Sequence, residues 1–330
     1  MPSHAPTPTP ALVERVAAPL EAGALAARAA RLPSVELDPA AEADLELLAT
    51  GAASPLRGYL GRPDHRSVLD RWRLVSGALW PWPVTLAVPV ERLAELAPGR
   101  EVALRDAAGR LRGVVAVSDA YVRDPREEAR LLFGSENPAH PGVAEVLARP
   151  SGTLGGEVTA LPIPAGRPAQ ESSPRAIRRL LAERGWGRAA VVQPRGLPTR
   201  AQAQIVLVAL GLADGVLVQP LAEDGDPAGP RAAVVLEAWR SAADRLGGER
   251  VRVGPAPVRD RHGGGRDVLL QALVRRNLGA RDYLVVRAGD LIRPGDGLPA
   301  DVSAEEIGIS IVPFAEEFSL PDGDGLAAVA

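Results

Sequence analysis

The sequence predicts an α/β protein in which a doubly wound parallel sheet follows a smaller, β-rich domain. In the first half, short apolar runs alternate with turns rich in glycine and proline, which is typical of a domain built mainly from strands. After residue 165, strand-like and helix-like segments alternate, which indicates a parallel sheet with helices on both faces. A chain of 330 residues is long enough for two hydrophobic cores. We therefore predict a tail and lead-in over 1–34, a β-rich domain over 35–165 and a doubly wound α/β domain with a carboxyl-terminal extension over 166–330.

In the β-rich part, the pattern of apolar residues predicts one helix over 41–49. The predicted strands there cover 83–90, 101–104 and 113–118. In the second part, Ser173 and Pro174 indicate a helix start, because serine is a favoured N-cap and proline is favoured at the first helical position. That helix should end near Gly185. The following strands are predicted at 189–192, 215–218, 250–253 and 283–287, with helices at 200–212, 231–246 and 267–278 between them.

This order of elements also predicts where a ligand binds. Open parallel sheets bind their ligands over the carboxyl ends of the strands. The loops at those ends cover 193–199, 219–231, 254–266 and the stretch after 287. We therefore expect the functional residues to lie in these four loops.

Composition excludes several classes of protein. With 38 basic and 41 acidic residues the net charge is −3, so there is no excess of positive charge that would predict a nucleic-acid partner. No cysteine is present, which excludes disulfides and thiolate metal sites. No apolar run reaches the ~18 residues of a membrane helix, and residues 1–10 form a polar segment rather than a signal peptide. We expect a soluble, cytoplasmic protein with no membrane partner.

The loop after the first strand of the parallel sheet is the most informative segment. Residues 191–204 read Val-Val-Gln-Pro-Arg-Gly-Leu-Pro-Thr-Arg-Ala-Gln-Ala-Gln. A loop that joins a strand to a helix N-terminus is a common binding place for phosphate and sulfate. Gln193, Arg195, Arg200 and Ala201 match the ATP sulfurylase (sulfate adenylyltransferase) motif Gln-Thr-Arg-Asn-Pro-x-His-Arg-Ala-His-Glu. The segment therefore resembles that family.

The resemblance extends over roughly residues 35–320. Residues 44–60 and 80–84 are similar to the family's amino-terminal segment, and residues 304–309 and 312–314 to its closing segment. It implies a PUA-like domain followed by a Rossmann-like nucleotide domain. It also implies an adenine nucleotide and a sulfate-type oxoanion as ligands, and a place in sulfur metabolism.

The chain departs from the family at the centre of the motif. Gly196 replaces the asparagine, and Thr199 and Gln202 replace both histidines. In the family, those histidines are understood to hold the triphosphate and to stabilise charge during sulfate attack. Thr199 and Gln202 form a T-x-x-Q pattern, which predicts a capping box at the start of the next helix. The standard transferase activity is therefore expected to be weak or absent.

Further candidates come from two other family motifs. Arg261 and Arg266 match the arginines of Met-Arg-Tyr-Ala-Gly-Pro-Arg-Glu, and Arg287 matches the arginine of Gly-Arg-Asp-His-Ala-Gly, although the aspartate and histidine of that last motif are missing. The predicted nucleotide- and sulfate-binding set is Gln193, Arg195, Gly196, Thr199, Arg200, Gln202, Arg261, Gly264, Arg266 and Arg287. The alternative for each arginine is an ordinary surface residue, since a chain without lysine carries many exposed arginines.

His262 is the catalytic candidate, because it is the histidine that falls in a predicted cleft loop. Its alternative is an ordinary loop histidine. No metal site is predicted, since no two histidines have the spacing of metal ligands. Mg²⁺ bound with a nucleotide stays open, with Asp224, Asp226 and Asp290 as possible ligands.

Three functions are consistent with these residues. The leading hypothesis is a divergent ATP-sulfurylase-like protein that binds adenylyl sulfate, ATP or a related nucleotide and carries out altered chemistry on it. The second is a catalytically inactive pseudoenzyme that binds nucleotide or a partner. The third is an active sulfate adenylyltransferase that uses His262. A homo-oligomer is compatible with all three.

Overall fold

The computed structural model describes residues 10–164, 166–222, 230–286, 299 and 301–314. Its helices are α1 (Pro19–Ala29), α2 (Pro39–Thr50), α3 (Arg62–Arg71), α4 (Pro125–Phe133), α5 (Pro141–Ala148), α6 (Pro168–Glu171), α7 (Pro174–Glu183), α8 (Arg200–Leu212), α9 (Pro230–Leu246), α10 (Gly265–Leu278) and α11 (Ala304–Ile307). Its strands are β1 (Ser34–Glu36), β2 (Gly58–Tyr59), β3 (Leu86–Val88), β4 (Glu101–Arg105), β5 (Leu111–Val122), β6 (Gly152–Ala160), β7 (Ala189–Gln193), β8 (Gly215–Val218), β9 (Val251–Val253), β10 (Asp282–Val286) and β11 (Ser310–Phe314).

The first domain is built on a mainly antiparallel sheet with the order β1-β4-β5-β6-β2, and β3 also pairs with β6. The predicted strand over 113–118 is the middle of the longer strand β5. Strand β6 was missed by the sequence patterns. It contains three glycines, which are unfavourable in strands, and only its pairing with β5 and β2 or β3 on either side makes it a strand.

Part of the expected lead-in belongs to this first domain. Val16 forms a β-bridge with Ala160, and the amide of Arg15 donates to the carbonyl of Ala49 at 2.9 Å. Helix α1 then packs Leu25 and Ala29 against a small apolar cluster that includes Ala103 of the sheet. Residues 15–29 of the lead-in are thus packed onto the first domain. The polar start of the chain gave no sign of this because the partners lie far along the sequence.

The second domain contains the predicted parallel sheet, with five strands in the order β11-β10-β7-β8-β9. Alternate residues of each strand face opposite helical layers. Ala190 and Val192 of β7 pack with α8 and α9, whereas Val191 packs in the cluster that contains α7 and α10. This confirms helices on both faces. The edge strand β11 comes from the segment that resembles the family's closing motif.

The two domains share a continuous core, and α10 contributes much of the contact. Asn277 of α10 donates from Nδ2 to the carbonyls of Ala52 and Ser54, both at 2.9 Å. The larger core cluster contains residues from both sheets. No helix in the described ranges is both long and apolar enough to cross a bilayer.

Candidate functional site

The chain order of the parallel strands creates a crevice beside β7. Strand β8 follows β7 in sequence and pairs on one side of it, while β10 returns to pair on the other side. The next strands of the sheet after β7 and β10, which are β8 and β11, therefore lie on opposite sides of this pair, and open α/β sheets bind ligands at such a switch in strand order. Gln193 ends β7 at this point and lies in register with Val285 of β10.

The side chain of Gln193 takes part in a buried polar network. The Tyr283 hydroxyl donates to Gln193 Oε1 at 2.8 Å, and Gln193 Nε2 lies 3.4 Å from Gln271 Oε1. Gln271 in turn donates from Nε2 to the carbonyl of Arg259 at 3.1 Å. The guanidinium of Arg275 lies 4.8 Å from the centre of the Tyr283 ring. This network holds β7, β10 and α10 together beneath the crevice.

Arg195 forms an ion pair with the carboxylate of Asp260 across the crevice. The Arg195 side chain is 34% exposed, whereas that of Asp260 is 2% exposed. Asp260 also accepts the backbone N–H of His262 at 2.9 Å. Asp260 occupies the position at which the family motif has methionine. An oxyanion that bound Arg195 would therefore meet a carboxylate already in contact with the same guanidinium.

The helix that follows the loop begins with the predicted capping box, which is confirmed. The Gln202 amide donates to Thr199 Oγ1 at 3.2 Å, and the Thr199 amide donates to Gln202 Oε1 at 3.3 Å. Gln202 also donates from Nε2 to the carbonyl of Arg195 at 2.9 Å. The box leaves the first two helical amides, those of Arg200 and Ala201, directed out of the helix end. An anion at this helix end could therefore accept hydrogen bonds from these two amides.

Gly196 occupies a position at which the backbone has a positive φ angle. Its φ is +71°, in the left-handed region, where glycine is favoured and asparagine is tolerated. The replacement of the family's asparagine by Gly196 thus preserves the turn. The Trp239 indole donates from Nε1 to the Gly196 carbonyl at 3.1 Å, which ties the loop to α9.

His262 lies in the loop before α10, in the left-handed region at φ +56°. Its ring is partly exposed, and Nδ1 lies 3.8 Å from Asp260 Oδ2. Gly264 precedes the first residue of α10 with φ +54°. Asp260 and His262 line an interdomain cleft of about 520 Å³, which is bounded on its other side by residues of α2 and by Arg167.

Arg261 and Arg266 connect the two domains. Arg261 forms an ion pair with Asp44 of α2, and its guanidinium lies 5.4 Å from the Trp82 ring centre. Its backbone N–H donates to Asp267 Oδ2 at 3.0 Å. Arg261 is 4% exposed and lies at the wall of the cleft.

Arg266 reaches further into the first domain. Its guanidinium donates to the carbonyls of Val68, Leu69 and Pro81 and lies 4.4 Å from the Trp72 ring centre. Burial lowers the pKa of Arg266 to about 10. The donors of this predicted anion ligand are therefore directed at backbone oxygens of the first domain.

The structure therefore brings together Gln193, Arg195, Gly196, Thr199, Gln202 and His262 and directs Arg266 elsewhere. Arg200 is exposed at the helix start. Arg287, Asp224, Asp226 and Asp290 lie outside the described residues. Asp260, Gln271 and Tyr283 were missed by sequence reasoning. For Asp260, the alternating charges of Arg259, Asp260 and Arg261 were the available signal.

The site also has no preformed cluster of metal ligands in the ranges given above. Among those residues, no group of three or more His, Asp or Glu side chains lies close enough to hold a metal ion.

Comparisons with known proteins agree with this architecture. A family model described as a PUA-like domain matches residues 4–162, and the ATP-sulfurylase family model matches residues 169–325. A sulfate adenylyltransferase of Symbiobacterium thermophilum is 38% identical over 262 residues, which is 79% of this chain and 67% of the relative. A sulfate adenylyltransferase of a Synechococcus species is 34% identical over 323 residues, which is 93% of this chain and 80% of the relative.

A solved structure shows the same fold. The hexameric APS kinase from Thiobacillus denitrificans superimposes with a TM-score of 0.69 at 27% identity over 92% of this chain. The match spans 55% of that kinase chain, so this chain corresponds to about half of it. Both domains are matched in the expected order by family models, and the full-length similarity includes curated relatives above 30% identity. The chain therefore belongs to the ATP-sulfurylase family.

Proposed function

We propose that the crevice at the carboxyl ends of β7 and β10 binds an adenine nucleotide that carries a sulfate or phosphate group, such as adenylyl sulfate or ATP. The observation that carries the proposal is the position of Arg195 and of the α8 N-terminus, which meet at the switch point of the sheet. Relatives named sulfate adenylyltransferase support the ligand class. The interdomain cleft beside Asp260 and His262 has room for part of such a ligand.

We propose further that the chemistry differs from that of a standard sulfate adenylyltransferase. Thr199 and Gln202 bond to each other's backbone at the helix start, where the family motif has two histidines. Loss of one donor to a developing charge typically costs about 10²–10³ in rate. The ion pair of Arg195 with Asp260 adds a competitor for the substrate's oxyanion. Turnover of ATP and sulfate is therefore expected to be low.

A second candidate is an active sulfate adenylyltransferase in which His262 takes over an acid, base or phosphate-binding role. The observation that favours it is the place of the His262 ring at the cleft, with Nδ1 3.8 Å from the Asp260 carboxylate. A carboxylate in that position can orient an imidazole and stabilise its protonated form. A third candidate is a binding protein without turnover, which the engaged state of Arg195 favours.

The decisive experiment measures pyrophosphate release from ATP, Mg²⁺ and sulfate, together with nucleotide binding by calorimetry. The leading proposal expects release at background and binding of adenylyl sulfate that is weakened by Arg195→Ala. Sulfate-dependent release that His262→Ala abolishes would establish the second candidate. Binding without conversion of adenylyl sulfate or ATP into any product would establish the third. The absence of binding for both nucleotides would contradict all three.

Mg²⁺ and oligomerisation extend the same proposal. Mg²⁺ in nucleotide sites is bound by substrate phosphates and water with few protein ligands, so we propose that the ion enters with ATP. The structural relative is described as hexameric. We propose a homo-oligomer for this chain too, and light scattering on the purified protein measures its mass directly.

A further inference from the structure

A second cavity, of about 300 Å³, opens on the face of the parallel sheet that carries α7. We call it the α7 pocket. Leu217 of β8 lies beneath it, Ile177 and Leu180 of α7 form its apolar side, and Arg179, Gln219 and Arg252 are among its polar residues. None of the residues that line it belongs to the candidate nucleotide site.

The buried side chain of Gln219 distinguishes this pocket from an ordinary surface depression. It follows the last residue of β8 and is 2% exposed. Its backbone N–H donates to the Val192 carbonyl at 2.9 Å, but its side-chain Oε1 is buried and has no hydrogen-bond partner among the residues that the structure describes. A buried acceptor left without a donor costs about 1–3 kcal/mol. Because Gln219 lines the pocket at the carboxyl end of β8, a hydrogen-bond donor on a ligand bound there would satisfy Oε1.

Two arginines border the same pocket. Arg252 lies opposite Leu217 in the register of β8 and β9, and its neighbours Val251 and Val253 pack on the other face with α9. The Arg252 side chain is therefore on the α7 face of the sheet. Arg179 reaches the pocket from α7. Within the described ranges neither guanidinium has an ion-pair or hydrogen-bond partner, whereas Arg188 in the same domain binds Asp282.

The remaining charges restrict the size and charge of the ligand. Glu171 and Glu183 are exposed at the rim of the pocket. Glu171 Oε2 lies 3.8 Å from Nη2 of Arg240, and Arg240 is not among the residues that line the pocket. These two carboxylates disfavour a polyanion such as a nucleoside triphosphate. The arginines favour a single oxyanion, and Gln219 Oε1 requires a ligand O–H or N–H.

We propose that the α7 pocket is a second binding site, for a small organic acid that carries a hydroxyl or amino group next to its oxyanion. The oxyanion binds between Arg179 and Arg252, the neighbouring hydroxyl or amino group donates to Gln219 Oε1, and the carbon skeleton contacts Ile177, Leu180 and Leu217. This site and the candidate nucleotide site share no side chain.

The test uses saturation-transfer NMR and calorimetry on the full chain with three probes at up to about 20 mM, a range that covers weak binding. Lactate offers a carboxylate with a hydroxyl group, serine adds an ammonium group, and propionate offers the carboxylate alone. We expect lactate or serine to bind at least about tenfold more tightly than propionate. Preference between lactate and serine distinguishes hydroxy acids from amino acids as the natural class.

Variants then locate the binding. Arg252→Gln should weaken binding at least about tenfold, because it removes a charged donor. Arg245→Gln makes the same charge change at an exposed site on α9 outside the pocket and should leave binding unchanged. Arg195→Ala, in the nucleotide site, should also leave it unchanged.

The substitution Gln219→Leu tests the proposal through ligand preference and melting temperature, in addition to affinity. It should erase the preference for lactate or serine over propionate without lowering the melting temperature, because it removes a buried acceptor that lacks a partner in the free protein. The proposal is overturned if neither lactate nor serine binds. It is also overturned if binding persists unchanged in both Arg252→Gln and Gln219→Leu, or if Gln219→Leu markedly lowers the melting temperature.

Discussion

The carboxylate of Asp260 binds the guanidinium of Arg195, and this contact joins two loops that leave different strands of the parallel sheet. Arg195 is retained from the family motif, while Asp260 replaces a methionine. The change in one loop therefore gives the candidate anion-binding residue of another loop an ion-pair partner. A nucleotide oxyanion can reach Arg195 only in competition with a carboxylate that is almost completely buried.

Asp260→Asn should tighten the binding of adenylyl sulfate about tenfold or more, because it removes the competing charge while Asn keeps an acceptor for the His262 amide. Calorimetry of the variant and the parent protein measures this difference. Asp244→Asn, at an exposed position of α9, is the control for the change in net charge. Unchanged or weaker binding in Asp260→Asn would show that the ion pair helps to hold the ligand.

The double substitution Thr199→His with Gln202→His should lower the free energy of unfolding by about 1 kcal/mol, because it removes both bonds of the capping box. Chemical denaturation measures this loss, and Gln204→His on the same helix outside the box is the control. We expect little recovered transferase activity, since Asp260 still pairs with Arg195. Unchanged stability together with lost nucleotide affinity would show instead that these side chains contact the ligand.

Arg266→Met should destabilise the protein by about 3 kcal/mol or more, because it leaves carbonyls of the first domain without their donor. The two domains should also unfold less cooperatively, which calorimetric unfolding detects as a broadened or divided transition. Arg231→Met, at an exposed arginine at the start of α9, is the matched control. If Arg266 served mainly as an anion ligand, nucleotide affinity would fall while stability stayed near that of the control.

Glu128 should make stability depend on acid pH. Burial by itself would raise its pKa, but the contact with His65 and the charges of Arg123 and His65 lower the pKa of Glu128 from 4.5 to about 2. Because the folded-state pKa is the lower one, the stabilisation is present above about pH 4.5 and is lost as the pH falls towards 2. Its size is on the order of 3 kcal/mol.

The measurement is the free energy of unfolding of Glu128→Gln and the parent protein between pH 6 and pH 2, a range that spans both pKa values of Glu128. The difference between the two proteins should shrink as the pH falls. Glu127→Gln replaces an exposed neighbour whose partner Arg66 is also exposed, and its effect should be small. A difference that stays constant over the whole range would contradict the assigned pKa.

The sequence by itself determined the features that depend on residues close together in the chain. The alternation of segments after residue 165 predicted four of the five strands of the parallel sheet and the helices between them, but not the edge strand β11, and α8 has the predicted bounds. The Thr199–Gln202 capping box was predictable because its donors and acceptors lie within one helical turn. The motif loop likewise indicated the family, which the comparisons confirm.

The tertiary structure alone decided which charged groups meet. Arg195 is 65 residues from Asp260, Arg266 is 198 residues from Val68, and Arg261 is 217 residues from Asp44. Matching to family motifs treated all three arginines as anion ligands, whereas burial and the partners brought by the other domain direct two of them into the domain contact. The buried Gln219 Oε1, which lacks a partner among the described residues, and strand β6 also became visible only in three dimensions. Backbone hydrogen bonds and caps are local, but ion pairs and burial depend on packing between distant segments, which no local pattern specifies.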